Sequence, residues 1–148
     1  MIAVVQRVSA AGVTVDGKTV GQIGLGLLVL LGVAEGDGPE DMAYIVRKTA
    51  NLRIFERDGK MTDSVQDIDG SLLVVSQFTL LGDVRRGNRP DFMRAAAPDI
   101  AQAMYNDCVD AFRAAGLPIQ TGVFGAHMEV SSVNDGPVTI LLDSRKGF

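Results

Sequence analysis

The stretch Asn134-Asp135-Gly136-Pro137-Val138-Thr139 constrains this chain most, because it sets a proline inside a run that otherwise reads as β-strand. Proline has no N–H to give to a ladder, so Gly136-Pro137 must open a strand, lie on an edge or form a special turn. The plain reading is a tight turn with Pro137 opening the last strand. The sharper one is a device that aims backbone carbonyls at something. A second informative segment, Ser76-Gln77-Phe78-Thr79, closes an apolar run that begins Leu72-Leu73-Val74-Val75. Strand ends are where open sheets place ligand sites.

Around these segments the chain reads as many strands and two helices. Ile2 to Val8 is an apolar-rich strand, and Val13-Thr14-Val15 and Lys18 to Ile23 flank Asp16-Gly17, a strong hairpin signal. Leu27 to Val33 follows, and its unbroken apolar character implies cover on both faces. Pro39, with Glu40 and Asp41 behind it, suits the first turn of a helix whose apolar stripe is Met42, Ile45, Val46 and Thr49. Leu52 to Phe55 reads as a short strand and Lys60 to Ile68 as a mobile stretch between Asp58-Gly59 and Asp69-Gly70. Ser71 to Leu80 is the next buried strand.

The second helix repeats Ile100, Met104, Cys108, Ala111, Phe112 and Ala115, with Pro98 at its start and Gly116 and Pro118 at its end. That pattern makes Cys108 a small core residue. Ile119 to Phe124, His127 to Val133 and Pro137 to Leu142 complete the strands.

At 148 residues the chain suits one domain, 1–148, burying roughly 70% of the surface of its unfolded form. One cysteine, Cys108, excludes an intrachain disulfide, and one histidine, His127, leaves too few ligands for an ordinary structural zinc site. No metal or other cofactor is expected. The longest apolar stretch, Leu25 to Val33, is far short of the ~20 residues of a membrane span, and no secretory leader is evident. The expectation is a cytoplasmic protein with no membrane partner. A net charge of −4 argues against broad attraction to nucleic acid, yet Arg85, Arg86, Arg89 and Arg94 form a local basic cluster suited to phosphate.

Two conventional sites can be weighed. Gly24-Leu25-Gly26 starts a dinucleotide-like pattern but runs into an apolar strand where that motif needs a helix, and is rejected. A Ser/His/Asp arrangement would have to use His127, with Ser76, Thr79 or Ser131 as nucleophile, and alternation puts His127 and Glu129 on one strand face.

Taken together, SQxT at Ser76 to Thr79, NxGPVT at Asn134 to Thr139, and the segments Met1 to Val8, Gly24 to Val33, Leu52 to Phe55, Arg86 to Phe92 and Thr121 to Phe124 resemble the D-aminoacyl-tRNA deacylases over nearly the whole chain. Only the tail Ser144 to Phe148 looks individual. Resemblance and strand count agree on an α/β domain, a barrel-like double layer of mostly antiparallel strands with two helices packed on one side. The resemblance further implies a homodimer with active sites at its interface, hydrolysing the ester between a D-amino acid, or glycine, and the tRNA 3′-terminal adenosine. It implies a cis Gly136-Pro137 bond whose carbonyls enter the partner's pocket and reject L-amino acids.

On that basis the Phe78 and Thr79 amides are the expected oxyanion donors, with the Thr79 hydroxyl a weaker candidate nucleophile because no base is indicated beside it. Ser76, Gln77 and Phe78 would bind substrate together with Gly136 and Pro137. Arg7, Asn134, Val138 and Thr139 would support the motif, and the four clustered arginines become candidates for tRNA phosphates. The remaining alternatives are a serine or threonine esterase using His127 and a noncatalytic tRNA- or DNA-binding module.

Overall fold

The computed structural model describes all 148 residues, Met1–Phe148. Its elements in chain order are β1 (Ile2–Val15), β2 (Lys18–Ile23), β3 (Gly26–Gly32), α1 (Pro39–Asn51), β4 (Phe55–Arg57), β5 (Lys60–Asp63), β6 (Ser71–Ser76), a 3-10 turn (Phe78–Leu81), α2 (Pro98–Ala114), β7 (Ile119–Thr121) and β8 (Glu129–Asp143). The main sheet runs β2-β1-β3-β6-β7, with β8 also paired to β1. β1 is antiparallel to β2, β3 and β8, whereas β3–β6 and β6–β7 are parallel. The sheet curls into a nearly closed barrel, and Gly21 on β2 comes so near the Thr121 carbonyl on β7 that a side chain there would strike it.

Parallel pairing explains the unbroken apolar strands. Side chains alternate across a strand, so Leu27, Val29 and Leu31 of β3 join Leu72 and Val74 of β6 in the larger core, beneath the helices. Leu28, Leu73 and Val75 point the other way into the barrel, with Val8, Val13 and Ile23. Both helices lie on the first face: α1 buries Ile45, Thr49 and Ala50, and α2 buries Ala101, Tyr105, Cys108, Val109 and Phe112. The Tyr105 hydroxyl donates to the Val74 carbonyl at 2.7 Å, which satisfies both buried groups.

Several boundaries depart from expectation. Ile2 to Val8 and Val13 to Val15 are one strand, because β8 pairs with β1 along both halves while β3 gives way to β2 on its other side. An extra residue on β1 between Val8 and Ala10 absorbs the change in twist. The strand expected at Leu52 to Phe55 falls at Phe55–Arg57. Lys60 to Ile68, expected to be mobile, holds β5 and buries Asp63 and Val65, the former paired with Arg57. Ser71 to Leu80 stops as a strand at Ser76, Ile119 to Phe124 stops at Thr121, and Ile100 is exposed rather than part of the stripe.

His127 to Val133 and Pro137 to Leu142 are likewise one strand, β8, so Pro137 lies within a strand and does not open one. The strand accommodates it by leaving the ladder. Val8 faces Asn134 and Gln6 faces Thr139, so the four residues Asp135 to Val138 stand opposite the single residue Arg7. The Gly136-Pro137 bond within this excursion is cis.

A candidate ester-binding cleft and a projecting Gly-Pro excursion

The barrel-facing side of β3 and β6 forms the floor of a cleft of about 940 Å³, through Leu28, Leu30 and Val75. Ser76 to Thr79 makes one wall, and the loop Phe124 to Met128 with Phe92 makes the other. The rings of Phe78 and Phe92 meet edge to face, 5.1 Å between centroids and 70° between planes, at the mouth. Polar groups reaching the cleft belong to Gln6, Ser76, Gln77, Thr79, His127 and Ser132; no carboxylate and no arginine lines it.

The wall at Ser76 to Thr79 follows from how β6 ends. Gln77 N still pairs with the Leu31 carbonyl at 2.8 Å, after which the chain tightens into the 3-10 turn Phe78–Leu81. Hydrogen bonding in that turn begins with Leu80 N donating to the Gln77 carbonyl at 3.3 Å. The Phe78 and Thr79 amides precede it and have no acceptor within the turn. Two adjacent backbone donors at the rim of an apolar cleft suit a developing oxyanion. The Thr79 hydroxyl accepts from Gln77 Nε2 at 3.1 Å and is hydrogen-bonded to neither a carboxylate nor an imidazole. It lacks the base that a nucleophilic hydroxyl needs at neutral pH.

His127 precedes β8 and is exposed, with no hydrogen bond to a carboxylate. The expectation that it shares a strand face with Glu129 fails, because β8 begins only at Glu129 and the cleft takes Met128, Val130 and Ser132. Alternation sends Ser131 to the far side, into a hollow with Gly12 and Thr19. No Ser/His/Asp constellation is assembled.

Gly136 and Pro137 do not line this cleft. They are exposed on the excursion of β8, which is held at its base. Arg7, only 7% exposed, donates through Nε to the Asp135 carbonyl at 3.0 Å and through Nη1 to the Ile54 carbonyl at 2.8 Å. The Asp135 carboxylate lies 3.3 Å from Nε, and Glu56 stands 3.9 Å from Nη1. Asn134 Oδ1 accepts from Val138 N at 3.2 Å, and Asn134 Nδ2 donates to Thr139 Oγ1 at 3.1 Å. Gly136 sits at φ 126°, and a Cβ there would lie 2.9 Å from both Arg7 Nη2 and Val138 Cγ2. Glycine is therefore required by conformation and by space.

The clustered arginines are not one equivalent set. Asp83 and Asp91 exchange backbone hydrogen bonds of 2.7 and 2.9 Å, closing a loop between them. Arg85 folds back onto Asp83, whose carboxyl is held far below the usual range by that guanidinium. Arg86 and Arg89 are exposed without carboxylate partners, and Arg94 faces a separate hollow with Met93 and Glu35. None of the four lines the cleft.

Sequence reasoning did not place Gln6, Phe92 or the Phe124 to Met128 wall at the site, although it weighed His127 of that wall as a catalytic histidine. Gln6 carries a legible signal, a polar residue between buried Val5 and Val8; the wall carries none of its placement, since only the folding of β7 into β8 brings it there.

The family model for D-Tyr-tRNA(Tyr) deacylase matches residues 4–143. A protein of Natranaerobius thermophilus named D-aminoacyl-tRNA deacylase is 59% identical over all of both chains, and one of Thermosipho africanus with the same name is 57% identical, again over all of both. Among solved structures, one described as a c-Myc DNA unwinding element binding protein superposes with a TM-score of 0.91 at 45% identity, over 97% of this chain and 98% of its own. A structure described as a probable eukaryotic D-amino acid tRNA deacylase superposes at 0.80 with 21% identity, over 96% and 98%, and speaks to the fold.

Proposed function

The chain belongs to the D-Tyr-tRNA(Tyr) deacylase family, and from that premise we propose that it hydrolyses the ester of D-aminoacyl-tRNA as a homodimer, each cleft being completed by the partner's Gly136-Pro137 excursion. It is a hydrolase of the aminoacyl ester: water adds to the acyl carbon, the acyl–oxygen bond breaks, and a free amino acid and the tRNA hydroxyl leave. The Phe78 and Thr79 amides stabilise the oxyanion in between, a contribution that reaches about 10² to 10³ in rate for one donor. An aminoacyl ester is already activated, so water aided by the neighbouring ribose 2′-hydroxyl suffices without a side-chain nucleophile. Ser76 and Gln77 bind around the ester, Phe78 walls the adenine, and Arg86 and Arg89 meet phosphates of the tRNA, with Arg85 and Arg94 in lesser positions.

The observation that carries this reading is the separation of two matched parts. The Phe78 and Thr79 amides left without an acceptor in their turn support the reading of the cleft as the ester site, while Gly136-Pro137 is exposed, is anchored at its base by Arg7 and Asn134, and does not line the cleft of its own chain. Entering a partner's cleft, the excursion fills the volume of an L side chain and leaves room for the hydrogen of a D residue. Glycine has no side chain to reject, so glycyl-tRNA, including tRNA-Ala mischarged with glycine, is a substrate on the same logic.

The test compares hydrolysis of D-tyrosyl-, L-tyrosyl- and glycyl-tRNA. The wild type should cleave the D and glycyl esters and spare the L ester; His127→Ala should retain activity and Thr79→Ala, which leaves the amide in place, should lose less than about tenfold. Abolition by either replacement in a folded protein favours the esterase. No hydrolysis of any ester favours a noncatalytic nucleic-acid-binding module.

A further inference from the structure

The excursion is clamped from both faces of β1, and one clamp looks into the cleft. Arg7 points to the helix-covered side, where it meets Ile54 and Asp135; its neighbour Gln6 points the opposite way and lines the cleft with Leu28 and Leu30. Gln6 stands directly opposite Thr139 in the ladder, and its Nε2 donates to Thr139 Oγ1 at 3.2 Å. The same oxygen accepts from Asn134 Nδ2 at 3.1 Å, and Asn134 Oδ1 accepts from Val138 N at 3.2 Å. Asn134 and Thr139 are the residues where the excursion leaves and rejoins the ladder. A polar chain of Gln6, Thr139 and Asn134 therefore closes the mouth of the excursion and terminates on a side chain in the cleft.

We propose that Gln6 is a positioning residue for D-selectivity: through Thr139 and Asn134 it fixes where one protomer's Gly136-Pro137 stands in its partner's cleft. This rests on the dimeric reading above. A wall excludes an L side chain only while it is stiff, and a misplacement of about 1 Å is enough to change rates by orders of magnitude at a reacting centre. Arg7 restrains the excursion at Asp135, on one side only. Without the Gln6 amide the Thr139 hydroxyl keeps Asn134 as its one side-chain donor, so the excursion beyond the ladder is held less firmly at its rejoining end. The lesion is a gain of L-ester hydrolysis, which loss of fold cannot mimic.

The experiment measures L-tyrosyl-tRNA against D-tyrosyl-tRNA hydrolysis in Gln6→Met, Thr139→Val, the double variant and Thr139→Ser, with the thermal midpoint of each. Gln6→Met and Thr139→Val should each lower the D-to-L ratio at least about tenfold, equivalent to about 1.4 kcal/mol, through faster L-ester turnover. The double variant should be no worse than either single one, and Thr139→Ser, which restores the hydroxyl, should keep the ratio.

Mixed dimers then locate the effect, using Ser76→Trp to block one cleft. With Gln6→Met on the blocked protomer, the open cleft receives the altered excursion and should admit the L ester. With Gln6→Met on the open protomer, discrimination should be normal. An unchanged ratio in Gln6→Met, additive effects of the two substitutions, or a defect that stays with the owner of the open cleft overturns the proposal. A wild type that is monomeric, or that cleaves both esters alike, instead sinks the dimeric reading and shows itself before any variant is made.

Discussion

Replacing Arg7 by methionine is the most direct test of how the excursion is held. Methionine keeps much of the buried stem and removes the guanidinium. Two hydrogen bonds disappear, Nε to the Asp135 carbonyl at 3.0 Å and Nη1 to the Ile54 carbonyl at 2.8 Å, the latter fully buried. Hydrogen bonds from a charged donor contribute about 1.5–3 kcal/mol each. The Asp135 and Glu56 carboxylates are both more than half exposed, so their loss of a partner adds little. Water can also reach the Asp135 carbonyl once the excursion loosens, which puts the net cost near the lower end, about 3 kcal/mol. For a domain of this size that is a fall of roughly 6–12 °C in thermal midpoint, read by circular dichroism or scanning calorimetry. The variant should also admit the L ester, because the excursion keeps only its Asn134 and Thr139 anchors. A midpoint within about 2 °C of wild type, with D-selectivity intact, would refute the reasoning, since it would mean that neither bond bears on the excursion.

Three further outcomes follow from other parts of the molecule. Burial pushes the Cys108 thiol up to about 12, so it should resist a disulfide reagent at about pH 8 in the folded protein and react at once in denaturant; rapid reaction of native protein would contradict its place in the core. The Ser144 hydroxyl donating to Asp41 at 2.6 Å holds that carboxyl below its ordinary 3.8, so the stability it confers is present above about pH 4 and is lost as pH falls through the lower folded value. Ser144→Ala should therefore be less stable than wild type near neutrality, with the gap closing in acid; a gap of constant size from about pH 7 to about pH 2.5 would contradict this. Replacing Arg86 and Arg89 with glutamine should weaken tRNA binding and flatten its salt dependence, whereas the same change at Arg85, already engaged by Asp83, should do less. Equal effects at all three positions would show that the ion pair does not set their availability.

Much of the fold was legible because its strands are apolar runs and its helices carry clear ends: Pro39 and Pro98 each begin a helix where expected. The failures share a cause, namely that a neighbour elsewhere in the chain decides the outcome. Local composition at Ser9-Ala10 reads as a break, yet β8 bridges it, so β1 runs on. Lys60 to Ile68 is polar enough to look like a loose loop, yet pairing with β4 and burial of Val65 hold it. The site divides in the same way. Ser76 to Thr79 could be read as a strand end with polar positions, since β6 does end there. Its opposite wall, Phe124 to Met128, could not be placed there, because neither the Thr121 to Phe124 segment nor His127 signals in sequence that barrel closure brings it across.

The division between cleft and excursion also has an electrostatic logic. An aminoacyl ester carries an α-ammonium group, and taking such a charge from water into an apolar cavity costs several kcal/mol unless partners replace the water. The cleft offers that cation no carboxylate, only amides, hydroxyls and one exposed histidine. Backbone carbonyls add to the amide and hydroxyl oxygens as acceptors, and the excursion is a segment whose backbone projects outward while its base is fixed by Arg7 and Asn134. Neutral carbonyls hold an ammonium without the long side chain that a carboxylate would need, and a backbone cannot be rotated out of the way as a side chain can. On the proposed reading one stretch of backbone thus captures the amino group and blocks the L side chain at the same time. Capture fixes the amino group, which in turn fixes the direction of the side chain, so the wall needs to be right for Cα alone and can accept D residues of very different size.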